Sequence, residues 1–122
     1  MALSDPRRGQ IWEVCLDPTV GGEIEKTRPA VVVSSDDMSQ FPVRLVVPLT
    51  EWKSKHVGLS WIARIEPTTT NGLNKIPPRA ADPLQARCLS IDARRFKRCL
   101  GILDAESIED VISGIAIVTE HR

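Results

Sequence analysis

Hydrophobic and polar residues alternate in short stretches along most of the chain, and a period of two is typical of β-strands. In residues 9–17 one face of the predicted strand carries Trp12, Val14 and Leu16, and the other carries Ile11, Glu13 and Cys15. Further predicted strands share this character or form short β-branched runs, and they cover residues 29–34, 43–50, 59–66, 84–91 and 98–103. The pattern predicts a mainly β (α+β) fold, in which a small antiparallel barrel or sheet carries one helix.

Proline, glycine and charged residues interrupt the pattern between the strands. Residues 17–22 have turn chemistry, residues 23–27 predict a mobile charged loop, and residues 36–39 predict a turn or one short helical turn. Pro48 lies inside a predicted strand and indicates an edge or a bulge there, because proline cannot donate a ladder hydrogen bond. Three prolines make residues 73–91 the segment with the weakest pattern, and Asp92 is expected to cap a short helical turn after it.

The C-terminal segment has the period of a helix. Asp104 is suited to cap its start, and an apolar stripe at helical spacing follows, made of Ile108, Val111, Ile112, Ile115 and Val118 or Thr119. The β-branched residues in 115–118 leave a strand there as the alternative. We predict an amphipathic C-terminal helix in a single domain, 1–122, with residues 1–8 as a flexible terminus.

Composition excludes several classes of protein. Apolar residues make up 42% and charged residues 26% of the 122 residues, which is typical of one globular domain. No apolar run reaches the roughly 18 residues of a membrane-spanning helix. Three cysteines without close spacing argue against a disulfide framework or a zinc site, so we expect a cytoplasmic protein without a metal.

The distribution of charge is more informative than its sum. The net charge is zero, but residues 104–122 carry a net charge of −4 and the preceding residues a net charge of +4. A basic body of this kind is suited to an anionic partner, although a solvated helix face with scattered surface charges explains it equally well.

Histidine and tryptophan residues that belong to no motif are the remaining candidates for acid–base chemistry and for stacking on bases. His56 lies in a lysine-rich segment and is predicted to be a solvated side chain, and His121 is distant from it in sequence. Trp12 and Trp61 occupy apolar strand positions and are predicted core residues. Trp52 lies beside Lys53 and is the better candidate for stacking on a base.

One joint motif near the N-terminus is specific. The segments RRGQIWEV (7–14), LDPTVG (16–21) and KTRPAVVV (26–33) follow one another, and VVPLT (46–50), NGL (71–73) and SID (90–92) continue the pattern. Together with Asp82, Gln85 and Arg87, this pattern resembles the MazF/PemK family, the toxin halves of bacterial type II toxin–antitoxin pairs. The resemblance covers nearly the whole chain.

The resemblance implies a fold and a function. It implies a small half-open antiparallel β-barrel with a C-terminal amphipathic helix, which forms a homodimer. It implies a metal-independent, sequence-specific endoribonuclease that cleaves single-stranded RNA, mostly mRNA, and arrests growth. The expected partners are RNA and a cognate antitoxin protein, with DNA contacted only indirectly through an antitoxin complex and with no membrane contact.

The resemblance also assigns residues. The catalytic arginine of the family's Thr-Arg-Pro motif falls on Arg28, and its catalytic threonine falls on Thr50. Asp82 is a weaker carboxylate candidate for proton transfer, because prolines around it depart from the family pattern and blur the register. The expected RNA contacts are Gly22, Glu23, Lys26, Trp52, Lys53, Gln85 and Arg87, where the glycine-containing loop at 21–26 borders the cleft and gates it.

The chemistry of these residue types agrees with the assignment. RNA supplies its own nucleophile, the 2′-OH, so the protein has to position it and stabilise the charge that develops on the phosphate. A guanidinium matches phosphate oxygens with planar donors, and a threonine hydroxyl adds a further donor. From the residues alone, the favoured interpretation of Arg28 is an arginine that begins a strand and pairs with Glu23 or Glu25, and the alternative for Thr50 is an ordinary threonine at the end of a strand.

A second function stays open on the same fold. A non-catalytic binding module, or a toxin that poisons a protein target such as DNA gyrase, would not need the Arg28–Thr50 pair. The presence of both residues favours the enzyme.

Overall fold

The computed structural model describes residues 5–73 and 77–121. It contains seven strands and one α-helix, joined by 3₁₀ turns at Asp36–Met38, Ser54–His56 and Pro83–Gln85. The strands are β1 (Gln10–Cys15), β2 (Thr27–Val32), β3 (Val43–Glu51), β4 (Ala63–Ile65), β5 (Arg79–Ala81), β6 (Arg87–Ser90) and β7 (Phe96–Ile102), and the helix is α1 (Ala105–Val118). The predicted combination of antiparallel strands and one C-terminal helix is confirmed.

All seven strands belong to one antiparallel sheet in the order β4-β5-β3-β2-β1-β7, with β6 paired to β3 beside β5. Both faces of its central strands are buried. One face of β1 contributes Trp12 and Val14 to a cluster with Phe96, as the alternation predicted, and Ile11 joins a second cluster on the other face, beneath α1. A sheet that buries both faces needs a cover on each side, which the curl of the sheet and the helix provide.

Pro48 lies in the centre of the sheet, so of the two predicted alternatives, an edge or a bulge, the edge was wrong. On one side β3 pairs with β2, and Ala30 is opposite Pro48. On the other side β6 pairs with β3 up to Val46 and β5 pairs with it from Leu49, so Pro48 lies in the gap between two neighbours. A residue without an N–H is accommodated there because neither β5 nor β6 requires a ladder bond from it.

The segment from residue 59 to residue 91 differs most from the sequence prediction. The predicted strand at 59–66 is limited to β4, because Ile62 N donates to Leu59 O and closes a turn before it. The predicted strand at 84–91 is limited to β6. β5 was not predicted, and a 3₁₀ turn capped by Asp82 separates it from β6. This proline-rich segment therefore folds into strands of three or four residues, which are too short to be recognised from the alternation of hydrophobic and polar residues.

The turn between β6 and β7 is the one predicted at residues 92–96. The backbone N–H groups of Arg95 and Phe96 both donate to Asp92 O. Arg94 donates to the Asp92 carboxylate through its guanidinium and its backbone N–H, and these bonds lower the pKa of Asp92 to about 2.

The helix begins and packs as predicted. Asp104 accepts a hydrogen bond from Ser107 N at 2.7 Å, and this bond lowers the pKa of the Asp104 carboxyl. The apolar stripe packs into the cluster beneath the helix through Ile108, Val111, Ile112 and Ile115. Gly114 faces the backbone of Trp61 and the ring of Pro83, where a Cβ atom would come within 2.3 Å of Trp61 O. The absence of a side chain at Gly114 therefore lets the helix approach two connections at once.

A buried arginine ties the N-terminal segment to the sheet. Arg44 on β3 is 3% exposed and donates to the carbonyls of Pro6, Phe41, Val43 and Ser39. Arg8 donates to Val33 O. Residues 5–8 are therefore held against the sheet, which differs from the expected flexible terminus 1–8; residues 1–4 of that prediction lie outside the described residues.

We predict that Arg44→Met lowers the free energy of unfolding by about 2–4 kcal/mol, because several buried carbonyls lose their donor at once. Urea denaturation followed by tryptophan fluorescence measures the change. The exposed Arg94→Ala is the control and is expected to stay within about 0.5 kcal/mol of the parent. An Arg44→Met variant as stable as the parent would show that the four bonds contribute nothing.

Candidate functional site

A cleft of about 450 Å³ lies where β2 begins and β3 and β5 end. Its walls come from the loop after β1, the end of β3, the connection from β3 to β4 and the turn after β5. The residues that line it are Gly22, Ile24, Arg28, Thr50, Glu51, Lys53, Lys55, His56, Leu59, Trp61, Ile62, Asp82, Leu84 and Gln85. All three residues expected to be catalytic, Arg28, Thr50 and Asp82, are in this set.

Strand register explains why these three side chains meet. The β2–β3 ladder pairs Ala30 with Pro48, and the same register continued by two residues places Arg28 opposite Thr50. The β3–β5 ladder pairs Thr50 with Ala80, so Asp82, two residues further on, lies on the same face as Thr50. Side chains opposite each other share a face of the sheet, and therefore the three residues project into one space.

Arg28 is half-buried and held by a single hydrogen bond from its Nε to Glu25 O at 3.2 Å. Among the described residues, its two terminal nitrogens have no hydrogen-bond partner. The alternative ion pair with Glu23 or Glu25 is not formed, because the Glu25 contact is to the backbone carbonyl. The free edge of the guanidinium carries two donors in the planar arrangement that a phosphate accepts.

Asp82 and the lysines complete the polar lining. One oxygen of Asp82 accepts a hydrogen bond from Leu84 N at 3.0 Å and caps the 3₁₀ turn. The Asp82 side chain is thereby fixed at the cleft while its second oxygen makes no contact within the described residues. Lys53 and Lys55 add exposed positive charges on the opposite wall.

Gln85 has a contact that its expected role did not include. Its Nε2 donates to Gly22 O at 3.0 Å, and its Oε1 accepts from Ile24 N at 3.1 Å. The expected RNA contact Gln85 thus holds the loop at 21–26 across the edge of the cleft. Ile24, Leu84 and Gln85 also line a second groove of about 420 Å³, so this bridge separates two adjoining spaces.

Four of the expected RNA contacts lie outside the cleft. Glu23 and Arg87 line the second groove, and Arg87 donates to Leu16 O at 2.9 Å. Lys26 is exposed, and its backbone N–H donates to Asp17. Trp52 is half-buried, with the Arg64 guanidinium 5.3 Å and the His56 ring 5.5 Å from its ring centroid.

Sequence reasoning missed His56 and Trp61, which both line the cleft. His56 was predicted to be solvated, but it is 8% exposed and its Nδ1 accepts a hydrogen bond from Lys53 N. Trp61 was predicted to be a core residue, but it is only half-buried. No sequence motif includes either residue. The turns at residues 53–62 decide where their side chains lie, and these turns have no periodic pattern of hydrophobic residues. Trp12, by contrast, is a core residue as predicted.

The described residues, 5–73 and 77–121, contain no group of three or more His, Cys, Asp or Glu side chains placed to hold a metal ion. The one helix in this part of the chain is too short and not apolar enough to cross a membrane.

Comparison with known proteins identifies the family. The family model described as "PemK-like, MazF-like toxin of type II toxin-antitoxin system" matches residues 7–119. The chain belongs to this toxin family. Endoribonuclease MazF9 of Mycobacterium tuberculosis is 35% identical over 114 residues, which cover 84% of this chain and 86% of that protein. Endoribonuclease PemK of Escherichia coli is 46% identical over 50 residues, 38% of this chain and 36% of that protein.

Solved structures of MazF proteins have the same fold. MazF of Deinococcus radiodurans superposes with a TM-score of 0.78 at 17% identity, over 97% of this chain and 99% of that one. A mycobacterial endoribonuclease in complex with its cognate antitoxin superposes with a TM-score of 0.71 at 14% identity, over 96% and 97% of the two chains. The expected MazF/PemK-like fold class is therefore confirmed.

We predict that Gln85→Ala accelerates hydrogen exchange at the Ile24 amide by about tenfold, because the loop loses both of its side-chain contacts. Hydrogen exchange followed by NMR measures this rate. Gln85→Glu is the matched variant, since its carboxylate still accepts from Ile24 N while it loses the donor to Gly22 O. Equal exchange rates in the parent and Gln85→Ala would mean that Gln85 does not hold the loop.

Proposed function

We propose that this chain is the toxin of a type II toxin–antitoxin pair and acts as an endoribonuclease on single-stranded RNA. The observation that carries the proposal is the meeting of Arg28 and Thr50 in one cleft, where the two terminal nitrogens of Arg28 make no hydrogen bond to any described residue. Family membership and the relatives named endoribonucleases support it.

The reaction that fits this site uses the RNA's own 2′-OH. That oxygen attacks the neighbouring phosphorus and forms a new O–P bond, while the bond from phosphorus to the 5′-oxygen of the next nucleotide breaks. The proton of the 2′-OH leaves as the attack proceeds, and the departing 5′-oxygen gains one. The products are a 2′,3′-cyclic phosphate and a 5′-OH, and no water is consumed.

Arg28 and Thr50 stabilise the charge on the phosphate during this step. The guanidinium donates two parallel hydrogen bonds to the phosphate oxygens, and the Thr50 hydroxyl donates a third. Donors that are already in place cost no reorganisation when the charge develops, which makes them effective in catalysis. Arginine does not give up its proton readily, so Arg28 is not assigned as the base.

Asp82 is the carboxylate that we assign to proton transfer. It lies on the same face of the sheet as Thr50, and its contact with Leu84 N fixes one oxygen while the other is available. Glu51 also lines the cleft, but it follows Thr50 on β3, where alternation directs its side chain towards the other face.

The partners follow from the same proposal. Single-stranded RNA is the substrate, and Lys53 and Lys55 supply attraction for its phosphates. A cognate antitoxin protein is the inhibitor, as in the mycobacterial complex to which this fold is similar. Contact with DNA is expected only through the antitoxin, and growth arrest is the expected effect of the free toxin in a cytoplasm.

We predict that Arg28→Ala lowers the rate of RNA cleavage by about 100- to 1000-fold or more and removes growth toxicity, because the donors for the developing charge are lost. Arg28→Lys is expected to recover little, since a point charge does not reproduce the planar fork. The assay is cleavage of a defined transcript in the presence of EDTA, with product ends identified by mass spectrometry.

The exposed Arg94→Ala removes the same charge away from the cleft and serves as the control, with circular dichroism to show that each variant is folded. A folded Arg28→Ala variant that cleaves at the parent rate would contradict the assignment. A parent protein that cleaves no pooled RNA at high concentration would contradict the enzyme function and leave the non-catalytic or gyrase-poison alternative.

A homodimer is part of the proposal, and the apolar stripe of the C-terminal helix together with strand edges is the self-complementary surface that the sequence predicts for it. The apolar stripe of α1 packs into its own core and is not available to a second copy. Instead, β3 and the turn before it expose apolar side chains, with Met38 at 48%, Phe41 at 51%, Val43 at 37% and Leu45 at 39% exposure. A surface of this kind is suited to a self-complementary two-fold contact.

We predict that the parent sediments as a dimer at micromolar concentration and that Leu45→Glu shifts it to the monomer, because a charge would be buried at the contact. Sedimentation velocity distinguishes the two species. Val20→Glu, at a residue that is 80% exposed outside this surface, is the control. A monomeric parent would contradict the homodimer.

A further inference from the structure

We propose that His56 reads a nucleobase of the bound RNA by donating a hydrogen bond from its Nε2. This inference rests on the proposed function, since it names a substrate contact of the same cleft. His56 is not part of the motif that led to Arg28 and Thr50.

The hydrogen bonds of the 3₁₀ turn Ser54–His56 fix the tautomer of the ring. Lys53 N donates to His56 Nδ1 at 2.9 Å, and His56 N donates back to Lys53 O at 2.9 Å. A backbone N–H is only a donor, so Nδ1 has to present its lone pair to it. The proton of the ring is therefore on Nε2, and His56 offers a donor at that atom.

The ring is also fixed in direction. Trp52 packs against it with ring centroids 5.5 Å apart, and the Arg64 guanidinium lies over Trp52. Within the described residues every buried side-chain nitrogen or oxygen has a hydrogen-bond partner, and His56 Nε2 has none there. His56 is 8% exposed and the space that it lines is the cleft, so a ligand that reaches Nε2 does so from there.

The surroundings of His56 favour a base over a phosphate. The same connection contributes Lys53 and Lys55 before His56 and Leu59, Trp61 and Ile62 after it to the cleft wall, and the last three form an apolar and aromatic surface. Bases stack on such surfaces and present acceptors at their edges, whereas a phosphate is better served by the cations Arg28 and Lys53. One fixed donor beside a stacking surface therefore selects a base with an acceptor at its edge.

His56 lies beyond the end of β3, away from the register that brings Arg28 and Thr50 together. The contact is therefore to a nucleotide beside the reacting phosphate and is equally strong before and during the reaction. Loss of such a contact raises KM and leaves kcat nearly unchanged, whereas loss of Arg28 lowers kcat.

Two substitutions separate the two nitrogens of the ring. In His56→Asn the amide oxygen still accepts from Lys53 N and preserves the turn, but the donor is lost. In His56→Gln the amide nitrogen reaches the position of Nε2, but the acceptor for Lys53 N is lost. We expect His56→Asn to raise KM about tenfold with kcat within about twofold, and His56→Gln to recover most of the KM.

The substrate is an oligonucleotide that spans a cleavage position mapped on a transcript with the parent protein. Versions with one base removed, or with one phosphate replaced by an uncharged methylphosphonate, locate the contact. We expect one base removal to raise KM in the parent and to have no further effect in His56→Asn. If a methylphosphonate gives this non-additive result instead, the contact is a phosphate and the nucleobase assignment is wrong.

NMR of the ring nitrogens tests the tautomer without cleavage. We expect the ¹⁵N resonance of Nε2 to be that of a protonated nitrogen, and to shift on addition of the same oligonucleotide with a 2′-deoxy nucleotide at the attacking position. A proton on Nδ1, an unmoved Nε2 or a parent-like KM in His56→Asn would each overturn the inference. A parent that cleaves no RNA overturns the proposed function instead, which is a distinguishable result.

Discussion

The pairing of β3 on both of its edges is the constraint on which the site depends. β2 lies along one edge, and β6 and then β5 lie along the other, so three neighbouring strands fix the register of β3. If the register of β3 slipped by one residue, every side chain of the strand would move to the opposite face of the sheet. Val47 and Leu49 would leave their buried positions, and Thr50 would leave the face that borders the cleft. The burial of this strand therefore fixes Thr50, and through the ladders it fixes Arg28 and Asp82 as well.

The walls of the cleft are held by contacts of a different kind. Gln85 bridges the backbone of the loop after β1, and Gly114 lets α1 approach the backbone of Trp61 and the ring of Pro83. Of the side chains that we propose as catalytic, Arg28 and Thr50 project from strands and Asp82 from the turn that follows β5, whereas the surfaces around them belong to connections. Rigid elements hold reacting groups precisely, whereas loops vary more easily. This division is expected of a site that keeps one reaction while its substrate preference varies.

The sequence predicted the parts of the site that lie on regular strands. Arg28 and Thr50 stand next to apolar runs whose position in the sheet follows from alternation, and the motif around them gave their role. His56 and Trp61 were assigned wrongly because their exposure depends on turns at residues 53–62, where no period indicates direction. Trp52 contacts Arg64 and His56 and does not line the cleft, which no local pattern in the sequence shows.

The sequence by itself determined the strand faces of β1, the capped C-terminal helix, the family and the residues of its motif, because these depend on local periodicity, local capping and the short spacing of the motif residues. Only the tertiary structure decided where Pro48 lies, which carbonyls satisfy Arg44, that Gln85 holds a loop some sixty residues before it, and that His56 faces the cleft. The physical reason is that these outcomes depend on hydrogen bonds and contacts between distant segments, which form only when the sheet closes around β3.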